Sequence, residues 1–430
     1  MKYINKKLLP FANASFFSAL FISAGISKAR RLLMATGHCL LLFILLKGSS
    51  ACAQNQKPGW VFKTASAIIA SPVSANGVIY VGSTDSNFYA IGVIEGTLRW
   101  KVKTNGDIRS TACIYQDKIC FMSGDGYAWC IDTGGHIKWK FKSKGENKYE
   151  LFSFADYFQS SPVYDSGIIY IGSADHFIYA LQAQTGKLIW KFKTAGIVHA
   201  TACIYKGAVY IGSFDGYFYA LNKASGKLIW RFKSVGQQYF PKGEFNGSAS
   251  AWGNTVFVGA RDYNFYALDF AKPFCHWNKS FQKGWAITTP LIDDSLLYIG
   301  TSDDRLFLCL NPLNGNTKWS FNAMYNIFGG PAVADSIIYF GTMMGHVFGL
   351  NKTTGEKVFD FTTLGYRQNK ETYFKEDDTY RDDIYSIIKK NEDFLLLYQK
   401  MGAVIAKPLV LGNTIIISSM DGNIYAVAHY

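Results

Sequence analysis

The chain has 430 residues and a formal net charge of +13, with 16 % aromatic residues and 10 prolines. The charge suggests a polyanion binder until it is placed: residues 1–52 hold Lys2, Lys6, Lys7, Lys28, Arg30, Arg31 and Lys47 and no acid, leaving 37 cations against 31 acids, a net of +6. The remainder is a mildly basic globular protein, and no nucleic-acid partner is expected.

The first segment, 1–53, reads as targeting sequence. Arg30-Arg31 precede an apolar run at 39–46, and the small residues Gly48-Ser49-Ser50-Ala51-Cys52-Ala53 follow it. Two readings stay open: cleavage after Ala53, or lipidation of Cys52 as in bacterial lipoproteins, although Ser49 stands where their motif usually has leucine. Either implies export to the periplasm, or anchoring at the outer membrane by a lipid. An earlier apolar stretch at 8–26 is interrupted by Asn13, Ser15 and Ser18, which weakens a membrane-span reading.

From residue 58 onward the chain repeats one sentence. Its clearest copy is 160–194. A strand at 160–164 is followed by strands at 168–173, 177–181 and 188–193, all rich in β-branched and aromatic residues and separated by short polar turns. This is a four-stranded antiparallel meander of roughly forty residues. Its tryptophan strand recurs at Trp100, Trp139, Trp190 and Trp230, and in looser form at Trp277, Trp319 and Phe359. Seven complete units fill 70–363. After Ala406 the chain writes three more strands and stops without a tryptophan strand, while Trp60 sits in one with only leader before it. Pairing the two ends removes both sheet edges. The expected fold is therefore all-β: an eight-bladed propeller occupying 58–430, monomeric, its last blade closed by the strand around Trp60.

Cysteines, acids and glycines of the repeat read as architecture. Cys113 and Cys203 share one column, and Cys130 and Cys309 another, where other repeats place Val, Ala or Gly. Cys113 and Cys120 would face each other across a two-residue turn, but directly opposed strand residues give a strained disulfide. The turn acids Asp85, Asp125, Asp175, Asp215, Asp262, Asp303 and Asp421, with Met344 as the exception, recur on nearly every blade. A group repeated that regularly caps backbone amides rather than doing chemistry once. Gly82, Gly172, Gly212, Gly259, Gly300 and Gly341 mark close strand packing. Lysines and arginines alternate with Trp and Phe on the outermost strands, where they guard exposed edges.

Particularity lies where repeats disagree. The residues leading into each innermost strand should ring the mouth of the central channel: Ile69, Arg109, Gln159, His199, Asn246, Ile287, Phe328 and Ile405. Arg109, Gln159, His199 and Asn246 give it a polar half, a candidate ligand- or partner-binding site. Three insertions, at 144–158, 235–245 and 364–405, fall on the same face. In the last, Glu376, Asp377, Asp378, Asp382 and Asp383 precede Ile384, Ile387 and Ile388, whose spacing predicts a short helix over the mouth. The acids lack calcium-loop spacing, and no cluster has metal-ligand spacing.

The run Ala180-Leu181-Gln182-Ala183-Gln184-Thr185-Gly186-Lys187-Leu188-Ile189-Trp190, with a second copy at 220–230, resembles the tryptophan-docking motif of pyrroloquinoline-quinone (PQQ) type propellers. That superfamily includes quinoprotein dehydrogenases, the lipoprotein propeller subunit of the outer-membrane β-barrel assembly machinery, and envelope proteins with no bound quinone. The dehydrogenases use adjacent cysteines near the quinone and acidic calcium ligands. This chain has no Cys-Cys pair, and its mouth ring has no carboxylate. The resemblance thus favours a non-catalytic binding or scaffold propeller of the cell envelope with a protein partner and no cofactor. The alternatives are a PQQ- and calcium-dependent oxidoreductase with a divergent site, or a glycan-binding propeller.

Overall fold

The computed structural model describes residues 56–145 and 156–429. The 1–53 leader and Cys52 lie outside them, as does most of the 144–158 insertion. Eight four-stranded antiparallel sheets form the eight blades of a propeller. Blades 1 to 7 begin at Val73, Cys113, Val163, Cys203, Ser250, Leu291 and Ala332. Blade 8 joins Leu409–Leu411, Thr414–Ser418 and Asn423–Ala428 to Pro58–Lys63, with Trp60 opposite Ala426 and Phe62 opposite Ile424. The ring is closed as the sequence expects, and no blade is left with a strand missing.

The innermost strands are shorter than the pattern predicts. In blade 3 pairing spans only Val163–Asp165, and residues 160–162 run outside the ladder. Strands crowd near the channel, so the segments leading into blades 2, 3 and 6 are held by the hydroxyls of Ser110, Ser160 and Thr288. Ser160 Oγ, for example, donates to Ala200 O and accepts from Gly172 N.

Neighbouring blades are locked by the tryptophans. The indole N–H of Trp60, Trp100, Trp139, Trp190, Trp230, Trp277 and Trp319 each donates to a carbonyl of the following blade, at 2.8–3.2 Å. At the remaining junction, between blades 7 and 8, Phe359 has no such donor, and Tyr339 Oη lies 3.0 Å from His429 Nδ1. The acids cap as expected: Asp85, Asp125, Asp175, Asp215, Asp262 and Asp421 each accept from the amide two residues on. Five of them also take a tyrosine hydroxyl from the third strand. Asp303 departs from its column. Asp304 accepts the amides of Lys283 and Gly284, leaving Asp303 to Asn326.

The 364–405 insertion is built of three helices. They are α1 (Leu364–Tyr373), α2 (Ile384–Ile387) and α3 (Asn391–Met401). Thr363 starts α1 by accepting from Tyr366 N, and Gly402 ends α3 with φ of 68°, which a residue without Cβ adopts without strain. The helix expected around Ile384 is a single turn. Ile384 and Ile388 are buried against Tyr366, Tyr373 and Leu397 of the cap's own core, while α3 covers the mouth with Leu395 and Tyr398. Met344, the exception among the turn acids, is explained by the same cap. It is buried beneath Tyr366, Leu397 and Met401, where a carboxylate would lose its water.

Candidate functional site at the channel mouth

Six of the eight blades deliver the next mouth residue by the same device. Their second strands end in glycine, and the link to the next blade crosses directly over it, whereas those of blades 2 and 8 end in Met122 and Ser418. A Cβ on Gly172 would lie 2.4 Å from Val198, and one on Gly341 would lie 2.3 Å from Val404. The next residues along, His199 and Ile405, are thereby turned inward. All eight ring residues are only 1–7 % exposed.

Their environments divide in two. Ile69, Ile287, Phe328 and Ile405 join Ala67, Trp285, Met343, Ala403 and Met420 in one apolar cluster. The insertions complete it: Tyr157 comes from the first, Phe240 from the second, and Leu395 with Tyr398 from the third. Tyr157 packs edge-on against Phe328 at 5.9 Å, and Phe240 against Trp285 at 5.0 Å. Burial pushes the hydroxyls of Tyr157 and Tyr398 well above the ordinary tyrosine range, so both stay neutral.

On the polar side Arg109 is the largest fully buried side chain among the described residues. Its Nε lies 2.5 Å from Asp107, and its Nη1 donates to the carbonyls of Tyr157 and Phe158 at 3.1 and 3.3 Å. Gln159 Oε1 accepts from the Arg109 amide at 3.1 Å. His199 Nδ1 lies 2.6 Å from Asp156 Oδ2, with both side chains buried. Arg109 and His199 therefore grip one stretch, 156–159, where the first insertion returns to the ring, and Gln159 at its end reaches back to Arg109. Asn246 is apart from them. Its Oδ1 is buried without a hydrogen-bond partner among the described residues, as are Glu244 Oε2 and Trp285 Nε1.

Sequence reasoning missed Asp107, Asp156 and Arg261. Asp107 was within reach, two residues before Arg109 in the same link. Asp156 sits in an insertion with no repeat counterpart, so no column marked it. Arg261 is the one charged residue in a turn column that otherwise holds Thr84, Gly124, Ala174, Phe214, Ser302, Met343 and Met420, and its guanidinium lies 4.8 Å above the Trp285 ring and 5.0 Å from Phe214.

The fold family implies a quinone with calcium, and the residues present do not fit that group. The ring supplies no carboxylate, the nearby carboxylates of Asp107 and Asp156 face Arg109 and His199, and the apolar half is packed by side chains of this chain. Among the described residues no group of His, Cys, Asp or Glu is arranged to hold a metal ion. The acids of the cap are engaged locally: Asp378 with Lys370 and Tyr366, Asp382 with Lys375, and Asp383 with Arg381.

A sequence family described as outer membrane protein assembly factor BamB matches residues 50–155, 135–251 and 215–377. Among curated proteins, the factor of that name from Nitrosomonas eutropha is 26 % identical over 139 residues, 32 % of this chain and 31 % of that one. The chain thus spans about a third of that relative's length. Among solved structures, BamB from Moraxella catarrhalis superposes with a TM-score of 0.63 at 13 % identity, covering 87 % of this chain and 100 % of that one. A quinohemoprotein alcohol dehydrogenase from Comamonas testosteroni superposes with a TM-score of 0.64 at 13 % identity, covering 87 % and 76 %. At such identity the superpositions establish the propeller fold alone.

Proposed function

The chain belongs to the family described as outer membrane protein assembly factor BamB, and from that premise we propose that it is a non-catalytic binding propeller of the bacterial envelope. Its partner would be a protein of the outer-membrane β-barrel assembly machinery, met through the face that carries the insertions. The observation behind this reading is the filled mouth. A catalytic propeller keeps its channel mouth open to substrate, whereas here Tyr157, Phe240, Leu395 and Tyr398 pack onto the ring. The surface offered to a partner is then the outside of the insertions and links, where Val235, Tyr239, Met324, Tyr385, Ile387 and Leu396 are exposed. Exposed aromatic and aliphatic side chains among charges suit a protein interface. In this reading Arg109, Gln159 and His199 serve binding from beneath, by fixing the 156–159 return on which the first insertion rests, while Asn246 stands apart from that network. Export and a lipid at Cys52 would bring this face to the membrane where assembly occurs.

The test is reconstitution with the purified barrel-assembly complex of the same envelope. Tyr239→Ala with Tyr385→Ala should weaken co-elution by about tenfold or more, as expected for aromatic interface anchors, while leaving the melting temperature unchanged. Tight quinone binding with dye-linked alcohol or sugar oxidation, after adding PQQ and calcium, would overturn the proposal in favour of an oxidoreductase.

A further inference from the structure

Blade 2 places cysteine at three positions that lie side by side, where blades 4 and 6 have one each, Cys203 and Cys309. Cys113 pairs with Cys120, and Cys120 pairs with Cys130, across three adjacent strands. In other blades the middle position is Tyr80, Tyr170, Tyr210, Phe257, Tyr298, Tyr339 or Ile416, and the third is alanine in five of them. The missing tyrosine is not a simple loss. In blades 3, 4 and 6 that hydroxyl donates to the same next-blade carbonyl as the docked tryptophan, at Lys223, Phe270 and Lys352. In blade 2 Tyr115, from the innermost strand, does this instead. Its hydroxyl and the Trp139 indole both donate to Ala183 O, at 2.6 and 2.8 Å. The inter-blade lock is kept while two thiols take the vacated space.

We propose that Cys113, Cys120 and Cys130 form a thiol–disulfide site, in which Cys120 and Cys130 close a cross-strand disulfide after an oxidant disulfide reacts at Cys113. The register selects the final pair. Thr133 N donates to Asp117 O, which makes Lys118 and Asp132 a non-hydrogen-bonded pair. Antiparallel pairs alternate, so Cys120 and Cys130, two residues further along, are also such a pair, with the closer side-chain approach. Cys113 and Cys120 are then a hydrogen-bonded pair, less suited to a bridge.

Exposure selects the order. Cys113 is half-buried, whereas Cys120 and Cys130 are 1 % and 0 % exposed, and all three are free thiols here. The Cys113 thiolate attacks the oxidant's disulfide and releases one of its thiols. Cys120 attacks the Cys113 sulfur and releases the second. Cys130 then attacks the Cys120 sulfur and returns Cys113 to the thiolate. Two protein thiols are oxidised, one disulfide of the oxidant is reduced to two thiols, and the two protons leave on those thiols.

The experiment uses the reduced full chain treated with glutathione disulfide under native conditions, then alkylated in denaturant and cut with trypsin. Cleavage after Arg109, Lys118 and Lys138 separates Cys113, in 110–118, from Cys120 and Cys130, in 119–138. The expected product is peptide 119–138 lighter by two hydrogens and unalkylated. Cys203, whose thiol burial pushes up to about 11, should remain alkylated as an internal control. Cys113→Ser should slow formation roughly tenfold without changing the product, as loss of the accessible thiol requires. Cys130→Ala restores the residue of five other blades and should abolish the product while the reduced protein melts like the parent. Peptide 119–138 still carrying two alkyl groups after prolonged oxidation, or stably linked to 110–118, would overturn the assignment.

Discussion

The two halves of the mouth ring occupy one backbone position and one level of burial, yet they are held by different forces. Ile69, Ile287, Phe328 and Ile405 are fixed by shape, each touching several neighbours that share the load. Arg109, Gln159 and His199 are fixed by a few directional contacts to Asp107, Asp156 and two carbonyls. A cluster held by shape loses stability in proportion to the volume removed. A buried ionic network fails abruptly, because deleting one partner strands the other without water.

The sharpest way to break this contrast is Arg109→Met. It removes the partner of Asp107, whose side chain is 23 % exposed, and releases the carbonyls of Tyr157 and Phe158, so a loss approaching the roughly 3–5 kcal/mol of a fully buried pair is expected in guanidinium unfolding. Replacing Asp107 by Asn in the same chain should recover part of it. An equal loss in the single and double variants would show that volume, not charge, matters on the polar side.

Ile405→Ala should cost about 2–4 kcal/mol on the apolar side, scaled by how far α3 settles into the gap. Gly341→Ala comes next, at about 1–3 kcal/mol, since its Cβ would press on Val404 and displace Ile405. If it proves neutral in thermal melts, the glycine column does not aim the ring.

Acid sharpens the comparison from outside the mouth. Burial alone would raise the Asp85 carboxyl, but hydrogen bonds from Tyr89 and from the amides of Asn87 and Ala65 outweigh it and hold it below the usual carboxylate range. Asp360 is likewise raised by burial, and His346 and Lys357 more than reverse this. Depressed folded values mean that this stabilisation is complete above the unfolded value near pH 4 and is lost as pH falls through the folded values. Asp360→Asn should therefore flatten the melting temperature between pH 5 and pH 3. Its effect should add to that of Ile405→Ala, because these acids bind blades 1 and 7 away from the ring. Smallest of all, Lys140→Ala removes an exposed cation lying over Trp129 and should shift stability by no more than about 0.5 kcal/mol.

The fold was legible because its signals are local and repeated. Alternating strands, the Asp turns and the Trp strands need only their own few residues, and Trp60 without partners, set against a last unit lacking its tryptophan strand, encodes closure. The ring positions followed from the same periodicity, which is why Arg109, Gln159, His199 and Asn246 could be named. What covers them could not. Asp156, Tyr157, Phe240, Leu395 and Tyr398 belong to insertions with no repeat to align, and Asp304 supplants Asp303 by a one-residue choice of turn. The short helix expected at Ile384 forms, but it sits on the cap's own core rather than over the mouth, because Ile384 and Ile388 find Tyr366, Tyr373 and Leu397 there while Ile387 stays exposed.

Sequence alone thus determined the number of blades, their closure and which residues point at the axis, since each rests on chain-local geometry multiplied eight times. Tertiary structure alone decided that the mouth is filled, and that Cys130 joins Cys113 and Cys120, already opposed in the sequence reading, in one row. Those outcomes depend on which distant segments meet, and the free energy of such meetings is written in packing and pairing rather than in any single stretch of chain.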